Sequence, residues 1–88
     1  MPLLSSFFGI KIRMFWEDGG KHKSPHFHAH YGEYEAVFAL DGKALEGKFP
    51  RKQRAYVKAW ALLHKDELAA NWSLAVSHKE TVKIEPLR

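Results

Sequence analysis

At Pro50 the apolar residues change their period, and this switch divides the chain into a strand-forming half and a helix-forming half. Side chains alternate between two faces along a strand but recur every 3.6 residues along a helix. Before Pro50, Phe8, Ile10, Ile12, Met14 and Trp16 alternate with Lys11 and Arg13, which predicts a half-buried strand with a basic outer face. Glu17 to Ser24, with Gly19-Gly20 and two lysines, reads as a loop. A strand from His26 to Tyr31 follows, then a turn at Gly32-Glu33. Tyr34, Ala36, Phe38 and Leu40 next alternate with Glu35, Val37 and Ala39, and Asp41-Gly42 signals a hairpin returning along Lys43 to Phe49.

After Pro50 the apolar positions are Ala55, Tyr56, Ala59, Trp60, Leu62 and Leu63, at helical spacing. His64-Lys65-Asp66 interrupts them, with Asp66 suited to cap a second segment carrying Leu68, Trp72, Ala75 and Val76. Thr81 to Ile84 reads as a short last strand stopped by Pro86. The expected fold is α+β: an antiparallel sheet of about four strands from the N-terminal half, covered by two C-terminal helical segments. Phe8, Ile10, Ile12, Phe27, Tyr31, Tyr34, Phe38, Trp60, Leu63 and Trp72 are the expected core.

With 88 residues, the chain has room for one core, so residues 1–88 are expected to form a single domain. It contains no cysteine, which excludes disulfides, thiolate zinc sites and a cysteine nucleophile. Met1 to Ile10 is apolar but too short to span a membrane, and it lacks the basic start of a signal peptide. A cytoplasmic setting without membrane contact is the expectation. The formal charge of +4 favours an anionic partner, either nucleic acid or an acidic protein surface.

The densest chemistry lies in Pro25-His26-Phe27-His28-Ala29-His30-Tyr31. Alternation puts Phe27, Ala29 and Tyr31 towards the core and the three imidazoles on the other face, at or near the surface. His26 and His28 could offer two nitrogens to a divalent metal such as zinc or nickel, with a third ligand from His30, His22, His64 or Glu35. Without a metal, His26 or His28 with Lys11, Arg13 or Lys23 could move protons on RNA and stabilise phosphoryl charge. Either form makes His26 and His28 the candidate catalytic residues.

A second signal follows Pro50. Arg51, Arg54, Lys58 and Lys65 fall on one stripe of a continuous helix, and no acidic residue occurs between Phe49 and Lys65. Cations at a helix N-terminus oppose the macrodipole by a few tenths of a kcal/mol each. Phosphates or an acidic partner would explain the choice; an ordinary solvated face would not require one. Trp60 and Trp72, at helical spacing, read as core rather than as base-stacking platforms. No phosphate-binding glycine loop or nucleophile-elbow motif is present.

Several separated landmarks occur in order: Phe8-Gly9-Ile10, Arg13-Met14, Pro25-His26-Phe27-His28, Tyr31 to Ala36, Leu45-Glu46-Gly47, Trp60, Asn71-Trp72 and Ile84 to Leu87. In these the chain resembles the bacterial family known as domain of unknown function 4160. The resemblance implies a small protein encoded beside a second small protein, the pair forming a toxin–antitoxin-type module. It supplies no catalytic residue. Ser24 stands where the family usually has a first proline of two, and His22 and His30 look particular to this chain. The expected function is therefore a module component that binds a small partner protein, and RNA or DNA as well, through Lys11, Arg13, Arg51, Arg54 and Lys58. The alternative is a ribonuclease, metal-dependent or histidine-based, using His26 and His28.

Overall fold

The computed structural model describes residues 3–16 and 24–88. Residues 17–23 of the loop expected before the histidine strand, with His22 and Lys23, lie outside the described residues. Five strands form one antiparallel meander in sequence order: β1 (Leu3–Phe7), β2 (Ile10–Arg13), β3 (His26–Tyr31), β4 (Tyr34–Ala39) and β5 (Ala44–Lys48). Two helices follow, α1 (Arg51–Leu63) and α2 (Lys65–Val76). The α+β class is as expected, with one strand more in the sheet. That strand is β1, whose Leu-Leu-Ser-Ser-Phe run has no period of two to announce it.

The extra strand changes the reading of Phe8. Phe7 pairs with Ile10, so Phe8 and Gly9 make the β1–β2 turn, and Phe8 takes a positive φ of 49°. It is 55% exposed and meets the core at its edge, through the Tyr56 ring 4.9 Å away and the Phe7 ring 6.2 Å away. Tyr34 and Leu63 likewise leave the expected core, at 47% and 70% exposure. Tyr34 begins β4 beside a turn, and the buried side of α1 is Val57, Trp60 and Ala61, which leaves Leu63 on the outside.

Trp60 is the hub of the interior. Its ring lies 5.5 Å from Phe7 and 5.6 Å edge-on to Phe27, which stacks on Phe38 at 5.6 Å. Ile10, Ile12, Ala29 and Ala36 complete the inner sheet face, and Leu68 of α2 closes it. Deleting large buried apolar groups removes both transfer energy and packing, which is why such a small core depends on its aromatics.

The helices meet at His64, which ends α1 and precedes the first residue of α2. Asp66 thus stands inside the first turn of α2 rather than at its cap, and His64 Nδ1 lies 2.7 Å from Glu67 Oε1 instead. After α2 the chain forms no strand. Thr81 to Ile84 runs beside β1 but contributes one backbone bond, from Ile84 N–H to the Leu4 carbonyl at 2.8 Å. Side chains hold the tail in place of a ladder: the Trp60 indole N–H donates to the Glu85 carbonyl at 2.8 Å, and Asn71 Oδ1 accepts from Val82 N–H at 2.7 Å. Among the described residues no helix is long and apolar enough to cross a membrane.

Candidate functional site

Register decides which polar side chains meet on the outer face of the sheet. The two-residue turn Gly32-Glu33 pairs Tyr31 with Tyr34, His30 with Glu35 and His28 with Val37. On the other side, β2 sets Lys11 opposite His30 and Arg13 opposite His28. Two rows result across four strands, Lys11–His30–Glu35–Lys48 and Arg13–His28–Val37–Glu46. Directly opposed residues have Cβ atoms about 4.5–5.5 Å apart. The basic side chains of β2 and the imidazoles of β3 are therefore neighbours, as the ribonuclease reading required of Lys11, Arg13 and His28.

The three histidines differ in their surroundings. His26 is buried; its Nδ1–H donates to the Ser24 carbonyl at 2.7 Å, and its ring lies 5.1 Å from Trp72 of α2. The expectation of three imidazoles near the surface fails there, because α2 covers the first residue of the strand. His28 stacks on Phe15, with ring centroids 4.4 Å apart and planes 13° apart, leaving its side chain 15% exposed. His30 is the most open, at 38%.

Glu35 links the last two. Its Oε2 lies 3.9 Å from His28 Nδ1 and its Oε1 lies 3.9 Å from His30 Nδ1. Both separations exceed a direct hydrogen bond but lie within ion-pairing distance. Among the described residues no group of three His, Asp or Glu side chains is arranged to hold a metal ion, so the zinc or nickel site on His26 and His28 finds no third ligand there. The geometry instead suits proton transfer and anion contact.

A second polar site forms where the β4–β5 turn meets α1. Gly42 N–H bonds to the Ala39 carbonyl at 2.9 Å, and Asp41 Oδ1 accepts from Lys43 N–H at 3.0 Å. Gly42 has φ +88°, and a Cβ there would fall 2.7 Å from the Lys58 Cα. Glycine thus serves both the turn conformation and its close seat on the helix. The seat creates an open groove of about 480 Å3 lined by Lys43, Ala44, Arg51, Arg54, Ala55 and Lys58, among others. Arg51, Arg54 and Lys58 share this groove as their spacing implied. Lys65 does not, because α1 ends before it. Neither helix has a side-chain cap, but the first turn of α1 has no acidic residue whereas that of α2 has Asp66 and Glu67.

A family model for a domain of unknown function, DUF4160, matches residues 9–73, spanning β2 to the last turns of α2. The chain belongs to the DUF4160 family. No curated protein and no solved structure matches it. Within the DUF4160 match lie every basic residue of the groove and both rows of the sheet face. Sequence reasoning named Glu35 only as a spare metal ligand and passed over Lys43 and Phe15. The length of the Gly32-Glu33 turn was the available signal for Glu35, since a two-residue turn fixes its partner as His30.

Proposed function

We propose that this DUF4160 chain is one component of a bacterial two-protein module of toxin–antitoxin type. It acts by binding a small partner protein, and nucleic acid as well, through the groove between α1 and the β4–β5 turn. The observation that carries the reading is that Lys43, Arg51, Arg54 and Lys58 line one groove beside Ala44 and Ala55, with Asp41 as the single carboxylate among them. Four cations against one carboxylate, with alanines between them, suit a segment that brings both carboxylates and an apolar anchor, and they also suit a phosphate backbone. The acid-free start of α1 supports the same reading. A sequence selected for helix stability alone would place Asp or Glu there, as α2 does. A cytoplasmic setting goes with this function.

Co-expression with the product of the neighbouring gene tests it. A complex should form, weaken as salt rises, and be lost when Arg51, Arg54 and Lys58 are all replaced by Gln. Nucleic-acid binding, measured separately, should show a log–log salt slope that falls by about 0.9 for each phosphate contact removed. No complex, together with no growth effect of the chain expressed alone, would remove the proposal.

A further inference from the structure

The outer face of the sheet carries more than charge. Glu35 stands between two imidazoles, with Nδ1 of His28 and of His30 each 3.9 Å from one of its oxygens. Arg13 and Lys11 face those same two imidazoles from the neighbouring strand. A pair of proton-transfer groups, a carboxylate that orients them and cations beside them are the parts that phosphodiester transfer needs. We propose that this face cleaves RNA, with His28 and His30 as the catalytic residues, Glu35 as a positioning residue, and Arg13 and Lys11 on the phosphate. None of these residues lines the groove at α1, so the activity stands apart from partner binding.

The step is a transesterification. One imidazole takes the proton of a ribose 2′-hydroxyl, whose oxygen bonds to the adjacent phosphorus. The P–O5′ bond breaks, and the other imidazole, protonated, gives its proton to the departing 5′ oxygen. The products are a 2′,3′-cyclic phosphate and a 5′-hydroxyl, and no other reactant is consumed. Arg13 and Lys11 stabilise the charge that builds on the phosphoryl oxygens. Glu35 lies within ion-pairing distance of Nδ1 of each ring, so its charge favours whichever imidazole carries the proton. His26 takes no part, since its ring is buried against Trp72 of α2. The pair is thus shifted two residues along the strand, and His30 gives this chain its second imidazole.

The test incubates the purified full chain, in EDTA, with a fluorescein-labelled oligoribonucleotide of mixed sequence. All-deoxy and fully 2′-O-methylated versions of the same oligonucleotide run alongside. Only the RNA should be cut, and mass spectrometry should find cyclic phosphate ends. His30→Ala and His28→Gln should each lower kcat by about 10²–10⁴-fold. Glu35→Gln should lower kcat while leaving KM unchanged, and Lys11→Gln should raise KM. His30 and Glu35 are open enough that their variants should melt with the parent, which keeps the test valid if His28→Gln unfolds. Absence of cleavage by the parent chain, cleavage of the deoxy strand, loss of activity in EDTA, or undiminished cleavage by His30→Ala with Glu35→Gln would each overturn the proposal.

Discussion

The two faces of the sheet use the same strands for opposite purposes. The inner face sets Ile10, Ile12, Phe27, Ala29, Ala36 and Phe38 against Trp60, and each of these is nearly or fully buried. The outer face sets Lys11, Arg13, His28, His30, Glu35, Glu46 and Lys48 side by side across β2 to β5. Packing needs only that apolar residues recur with the right period, because dispersion and the hydrophobic effect carry no fixed direction. Chemistry needs particular atoms at particular separations, so it depends on cross-strand register. A one-residue slip would exchange the two faces, and the inner face therefore holds the register that the outer face uses.

The largest effect expected from breaking this arrangement is on the inner side. Trp60→Ala should cost about 3–5 kcal/mol in urea or thermal unfolding, a large share of the stability of any small domain. The same substitution also removes the indole N–H that holds the Glu85 carbonyl. Two intermediate effects follow. Gly42→Ala should cost about 1–3 kcal/mol, because a positive φ and contact with helix backbone both oppose a Cβ. It should also weaken partner capture by moving the turn away from Arg54 and Lys58. Asn71→Ala should cost about 1–3 kcal/mol by leaving Val82 N–H without its acceptor, and amide exchange at Val82 should quicken. The smallest effect belongs to the outer face, where His30→Ala with Glu35→Gln should change stability by no more than about 0.5 kcal/mol. A loss there comparable to Trp60→Ala would show that the two faces do not divide the work.

Much of the fold was legible because β2 and β3 alternate, turn residues bracket the apolar run of β4, and Pro50 marks the start of α1. The histidine strand began at His26 as expected, and the turns at Gly32-Glu33 and Gly42 fell where their residues placed them. The Gly42 hairpin uses a turn over Ala39–Gly42, one residue longer than Asp41-Gly42 alone implied. The missing strand β1 lacked alternation, since it pairs irregularly with β2 between Leu3 and Ser5. The expected last strand failed for a different reason. Val82 is held by Asn71, Ile84 by a single backbone bond and the next residue, Glu85, by Trp60, none of which local propensity can reveal. The candidate sites were half legible. Residue types and helical spacing gave Arg51, Arg54 and Lys58, but the burial of His26 arises from α2, far along the chain.

The backbone bond between Leu4 and Ile84 joins two segments that both lie outside the residues matched by the family model. Trimming the chain to residues 9–73 would therefore undo a clasp. β2 would become a bare sheet edge, the Trp60 indole would be left in the interior with no acceptor, and Asn71 would lose the amide it holds. The stretch matched by the family model is thus narrower than the set of residues whose contacts tie the fold together. A fragment cut to fit it should keep the histidine strand and the groove but melt well below the full chain in a thermal scan.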